Sequence, residues 1–166
     1  MNDNYVEQIV ASKPRGAQFV PVILTFLLFA AGIFVMLFIW PAMGLMVMVG
    51  GGILGAWAFP GMHVEYEYIF TNNDLDIAMI KNKASRKECM RIPGDEVVRV
   101  LKYTDPKFQN ELDVNKKLDF KYFTSFEDSA KDRWYAFITG SDKAVIVELN
   151  EKTQAHVMQF YKKLLV

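Results

Sequence analysis

The sequence predicts a membrane-anchored α+β protein: a two-helix transmembrane hairpin, then a seven-stranded β-barrel or sandwich capped by a C-terminal helix. Three observations carry this. Residues Ala17 to Met62 run forty-six positions without Asp, Glu, Lys, Arg or His. From Val64 the apolar pattern changes to a period of two, the spacing of half-buried strands. Near the end Val157, Phe160, Tyr161, Leu164 and Leu165 return to helical spacing, which places them on one stripe.

The charge-free run sets the first element. About 20 helical residues cross a ~30 Å hydrocarbon layer, and one helix of this length would reach about 69 Å at ~1.5 Å per residue. The run therefore folds back, and Trp40-Pro41-Ala42-Met43-Gly44 supplies the break, since Pro lacks an N–H and Gly is flexible. Two helices are expected, Phe19 to Trp40 and Met43 to Phe59. The chain accordingly divides into an N-terminal segment (1–18), a hairpin (19–62) and a C-terminal domain (63–166). A secretory signal competes for the N-terminus, with Lys13 and Arg15 as its basic region, but the apolar run is several times too long for one.

The turn carries no Lys or Arg, whereas Lys13 and Arg15 flank the first helix and seventeen cations follow the second. By the positive-inside rule both termini face the cytoplasm of a multi-pass cell-membrane protein. Gly51 and Gly55 form a small-xxx-small pair that favours close helix packing, within the hairpin or in a homo-oligomer. Trp40, Trp57 and Phe59 stand where interfacial aromatics collect. Neither span contains an ionisable group, which argues against an ion path or proton relay.

Before the hairpin, Tyr5, Ile9 and Val10 recur at helical spacing, so a short surface helix is expected there. After it, Val64 to Phe70 alternates as a first strand. Thr71-Asn72-Asn73-Asp74 turns into a second, with Leu75, Ile77 and Met79 on one face. The Lys81–Ser85 loop leads to a third strand, Arg86 to Ile92. Pro93-Gly94-Asp95 turns into a β-branched fourth, Val97 to Tyr103. A polar connection from Thr104 to Lys116 follows, then strands over Leu118–Phe123, Trp134–Thr139 and Lys143–Leu149. Asn150 is the expected N-cap of the final helix, with Glu151 in its first turn.

Tyr68-x-Phe70-Thr71-Asn72-x-x-Leu75-x-Ile77, Arg86-Lys87 and Ile92-Pro93-x-Asp95-x-Val97 resemble the start of bacterial pleckstrin-homology-like domains. The whole chain, opening on Tyr5-Val6-Glu7-Gln8-Ile9-Val10, is similar to an uncharacterised family of small bacterial membrane proteins with two transmembrane helices and such a domain. The resemblance implies a pleckstrin-homology-like fold and brings no catalytic residue. Eukaryotic relatives bind phosphoinositides through a basic loop after the first strand. Here that loop is Thr71-Asn72-Asn73-Asp74, without a cation, so the resemblance does not carry that ligand over.

The chemistry-bearing residues are sparse. His63, His156 and Cys89 are the only histidines and the only cysteine. They lack the three or four ligands of a zinc site, and one cysteine forms no intrachain disulfide. His63 reads as an interfacial residue. Cys89 reads as a small buried strand residue, the alternative being a thiol activated by Arg86, Lys87 and Arg91. Glu65 and Glu67 read as the wet face of a strand. No nucleophile triad, Walker loop or dinucleotide fingerprint is present. Nineteen basic residues balance nineteen acidic ones, and no basic stripe accompanies Trp134 and Tyr135, so nucleic acid is not an expected partner. Neither enzyme activity nor a cofactor is expected.

The one charge cluster is Lys81, Lys83, Arg86 and Lys87, four cations in seven residues. It is a solvated turn or, if the loop between the second and third predicted strands returns to the bilayer, a lipid-facing patch. The expected function is a non-catalytic adaptor, held at the cytoplasmic membrane face to bind a protein partner. The alternatives are an anionic-lipid sensor acting through the basic loop, and an accessory subunit of a membrane complex.

Overall fold

A computed structural model describes residues 5–108 and 118–165. They form two compact units, one of Lys13–Val64 with Lys81–Ser85, the other of the remaining described residues.

In the hairpin unit, α1 (Gly16–Phe38) and α2 (Pro41–Ala58) are joined through Ile39 and Trp40 and followed by a 3-10 turn, Phe59–Met62. Pro41 opens α2 rather than lying in the break, because the first helical residue has no intrahelical use for an N–H. Gly44 lies within the first turns of the helix and is buried. A Cβ there would lie 2.4 Å from the Met36 nitrogen and 2.5 Å from the Gly32 oxygen, and one on Gly32 would lie 2.4 Å from Met48 Cγ. Glycine at both positions lets the backbones meet. Further along, Gly51 faces Leu28 and Phe29, and Gly55 faces Thr25. The Thr25 hydroxyl, the one hydroxyl among these helices, donates to the Pro21 carbonyl at 2.9 Å. Outward the helices are apolar all round, with Phe26 at 65% and Leu37 at 69% exposure.

The second unit contains two four-stranded sheets. The first has the order β1 (Tyr5–Ser12), β2 (Val64–Thr71), β3 (Asp74–Lys81) and β4 (Ser85–Ile92). The expected N-terminal surface helix is therefore a strand, and eight strands rather than seven are present among the described residues. Val6, Gln8 and Val10 turn inward while Tyr5, Glu7, Ile9 and Ala11 are exposed. The sheet thus takes its first strand from before the hairpin and the rest from after it.

The second sheet has the order β5 (Val97–Lys102), β7 (Trp134–Thr139), β8 (Lys143–Glu148) and β6 (Asp119–Phe123). β5–β7 and β7–β8 are antiparallel, while β6 crosses to pair in parallel with β8. A core drawn from both sheets includes Tyr68, Phe70, Leu75, Ile77, Val100, Phe137 and Val145, with Val157 and Tyr161 from the C-terminal segment. On the other side of the second sheet a further cluster joins Leu101, Trp134, Ala136, Ile138 and Ile146 to Phe108, Leu118 and Ala130. All six residues of β7 are consequently buried. Most of the expected polar connection, residues 109–117, lies outside the described residues.

The last helix, α3 (Glu151–Phe160), starts at Asn150, whose side chain accepts from the Thr153 N–H at 2.9 Å. It ends sooner than its apolar stripe. The chain then turns, so that the Val100 N–H donates to the Leu164 carbonyl at 2.9 Å and Leu165 bridges Val100. Leu164 and Phe160, two members of that stripe, are half-buried, whereas Tyr161 is 1% exposed.

Candidate functional site

The four cations of the sequence cluster fall into two settings. Lys81 and Lys83 belong to the β3–β4 turn, where Ala84 N–H donates to the Lys81 carbonyl at 3.1 Å. Asn82 and Lys83 both hold left-handed conformations, with φ of 50° and 54°. Two such residues suit the right-handed twist of a hairpin, and Asn-Gly is the usual pair. Here a lysine stands in glycine's place. The Asn82 N–H also donates to the His63 carbonyl at 2.8 Å, tying the turn to the segment that leaves α2. Arg86 and Lys87 lie instead on β4. Arg86 Nε is 2.5 Å from Glu67 Oε2, so Glu67 is a pairing partner rather than only a wet-face residue. β4 is an edge strand exposed over most of its length. Cys89, expected to be buried, is therefore exposed.

The Asn72–Asn73 turn is closed over by the C-terminal segment. His156 is buried, with Nε2 2.8 Å from the Asn72 carbonyl oxygen. That oxygen only accepts, so Nε2 carries the proton. The Tyr161 hydroxyl donates to the Asn73 carbonyl. Burial, and then the Asp74 charge, push that hydroxyl above its ordinary pKa. On the other side Gly94 approaches so closely that a Cβ would sit 2.3 Å from Asn73 Cβ. The turn's carbonyls are occupied by protein donors.

A polar network that sequence reasoning missed lies where β1 meets the end of β8 and the start of α3. Gln8 Nε2 donates to the Glu148 carbonyl at 2.9 Å, and Gln8 Oε1 accepts from Asn150 N–H at 2.9 Å and Thr153 Oγ1 at 2.6 Å. The Glu148 carboxylate is 6% exposed, with Arg133 Nη2 at 2.7 Å on one oxygen. Its other oxygen receives Ser125 N–H at 3.1 Å and Ser125 Oγ at 2.5 Å. Burial alone would raise this carboxyl's pKa. The Ser125 hydroxyl, the Arg133 guanidinium and the Ser125 N–H outweigh it and hold the carboxyl below its ordinary value. A cleft of about 460 Å³ opens beside these groups, its lining including residues 8–11 of β1 with Ser125, Arg133 and Glu148. The signal available in the sequence was a lone acid closing the apolar run Ala144-Val145-Ile146-Val147-Glu148. Both carboxylate oxygens are engaged by the fold itself, as a structural ion pair requires.

Neither a curated protein nor a solved structure matches the chain. One family model does, described as "Bacterial PH-like domain (DUF6106)", and it matches residues 2–166. Two N-terminal apolar helices, two sheets and a C-terminal helix are consistent with the pleckstrin-homology-like fold that this description names. Such domains generally serve as non-catalytic interaction modules. The chain belongs to the DUF6106 family of bacterial PH-like domains.

Proposed function

We propose that this protein is a membrane-tethered interaction module, its hairpin spanning the cell membrane and its sheets holding a protein partner at the cytoplasmic face. The observation that carries the reading is the place of the hairpin in the chain. It is inserted between β1 and β2, which are hydrogen-bonded neighbours in one sheet. Strands so joined must lie on one side of a bilayer, so a hairpin that spans it enters and leaves at the same face. α1 and α2 are long enough for this, at 23 and 18 residues before the 3-10 turn. Their exposed surfaces are apolar all round, which in lipid carries no penalty. Lys13 and Arg15 beside α1 orient that face to the cytoplasm. No group in this reading turns over a substrate; the domain binds.

The single, exposed Cys89 makes the reading testable in the native chain. A membrane-impermeant maleimide should label Cys89 in inside-out vesicles and not in right-side-out ones, with the protein resisting carbonate extraction. Labelling from outside would overturn the orientation. Photocrosslinkers at the exposed Ile9 and Val98 should capture one discrete protein in cells. Absence of any adduct at both positions would count against the adaptor role.

A further inference from the structure

We infer that the hairpin unit carries a cationic collar, Lys13, Arg15, Lys81 and Lys83, that binds the phosphates of anionic lipid headgroups. This deepens the membrane-tethered reading and rests on it. The collar is assembled by three features. First, α1 and α2 pack antiparallel in a register that sets Gly55 against Thr25, Gly51 against Leu28 and Gly44 against Met36. Continued by the equal rise of two helices, it brings the start of α1, at Gly16, level with His63. Lys13 and Arg15, both exposed, precede that start. Second, the Asn82–His63 hydrogen bond fixes the Lys81–Ser85 turn at the same end, and this turn, although it joins β3 to β4, groups with the hairpin unit. Third, that unit holds four cations and His63 but no acidic residue. Every charge it has stands at one end of an otherwise apolar body.

Lys83 adds an independent pointer. The left-handed conformation it holds is one that glycine adopts freely and side chains adopt at a cost. A lysine kept there gives up turn stability for a cation at the tip of the turn. Complementary charge, continuous with an apolar surface of membrane-spanning length, identifies the occupant as an anionic phospholipid at the interface. Arg86 and Lys87 are not part of the collar, because Arg86 is held by Glu67 and both lie on β4 in the other unit.

The test uses the full chain in phosphatidylcholine vesicles doped with spin-labelled phosphatidylglycerol or phosphatidylcholine, reading the relative association of each lipid with the protein. The native chain should prefer phosphatidylglycerol, less so at high salt. Lys81→Gln with Lys83→Gln should reduce the preference by at least about five-fold, as should Lys13→Gln with Arg15→Gln. Arg86→Gln with Lys87→Gln should leave it unchanged. Lys83→Gly is the variant that cannot be explained by misfolding: it should lower the preference while keeping or raising the melting temperature. An undiminished preference in the Lys81/Lys83 variant, or an equal loss in the Arg86/Lys87 variant, overturns the collar. Release of the native chain by carbonate would instead overturn the spanning hairpin, so the two failures are distinguishable.

Discussion

The hairpin helices and β7 are both uninterrupted apolar stretches, yet they stand in opposite surroundings. β7 is covered on both faces, Tyr135 and Phe137 entering the inter-sheet core and Trp134, Ala136 and Ile138 the outer cluster. α1 and α2 meet each other along a narrow glycine-lined seam and leave large side chains such as Phe26 and Leu37 uncovered. Six residues of strand can be enclosed by a domain of this size. Forty-odd residues of apolar helix cannot, and on the proposed reading lipid covers them. Apolarity in a sequence therefore reports that water is excluded, while length and the position of the flanking charges report by what.

The strongest way to break this comparison is to remove what the sheets owe to the chain before the hairpin. A fragment of residues 63–166 lacks β1. It loses the burial of Val10, about 1.5–3 kcal/mol, and three Gln8 hydrogen bonds of about 1 kcal/mol each. A domain with roughly 5–15 kcal/mol in hand should then be unfolded or close to it. Joining Tyr5–Ser12 to Glu65 through a short Gly/Ser linker in place of the hairpin should restore a cooperative denaturant transition. Equal stability of the two proteins in urea would remove β1 from the sheet.

Next come matched truncations in the two apolar regions, measured by denaturation of the detergent-solubilised full chain. Phe137 is fully buried against Phe70 and Tyr161, so Phe137→Ala should cost about 3–5 kcal/mol. Phe26→Ala, on the outer face of α1, should change stability by under about 0.5 kcal/mol. A comparable loss at both would mean that Phe26 packs against protein.

Much of the fold was legible because its signals are local. The charge-free run, the seven strands after it and the Asn150 cap all recur in the structure. β1 was not legible, for a physical reason. Its inward residues include the polar Gln8 and its outward ones include Tyr5 and Ile9, so apolar alternation is inverted just where it was needed. The parallel β6–β8 pairing depends on a crossover that no local pattern encodes. At the candidate sites, the Lys81–Lys87 run read as one patch because sequence proximity hid a change of element at Ser85. Cys89 was misplaced because an edge strand exposes positions that a central strand buries. Pro41 was placed in the break because a proline reads equally as a breaker and as the first residue of a helix.

The Glu148 network gives a smaller and pH-dependent effect. The folded carboxyl lies below its ordinary value, so its contribution is present above the unfolded carboxylate range, near pH 4–5. It is lost as pH falls through the lower folded value. Glu148→Gln should cost about 1–3 kcal/mol at neutral pH, leaving the Ser125 donors poorly matched in a buried site. The gap between the two proteins should close as the solution is acidified. A gap that is constant from neutral to acid pH would show that the charge contributes nothing.

The smallest effects are expected at the end of α3, where the structure changes what the apolar stripe implied. Phe160 stacks on His156 with ring centres 4.5 Å apart but is only half-buried, while its neighbour Tyr161 is enclosed. Full burial of Phe160 would make Phe160→Ala a loss of about 3–5 kcal/mol. Half-burial forfeits only part of the transfer free energy, and water can enter the space left behind, so about 1–2 kcal/mol is expected. Lys162 and Lys163 are exposed beyond the helix, and replacing either by Ala should change stability by under about 0.5 kcal/mol. These values separate two roles for the segment. If α3 were a lid seated by its stripe, Phe160 would dominate and Tyr161→Phe would be silent. In the structure the Tyr161 hydroxyl holds the Asn73 carbonyl, so Tyr161→Phe should cost about 1 kcal/mol and speed hydrogen exchange at the Asn72–Asn73 turn. A silent Tyr161→Phe beside a severe Phe160→Ala would restore the stripe as the element that seats the helix.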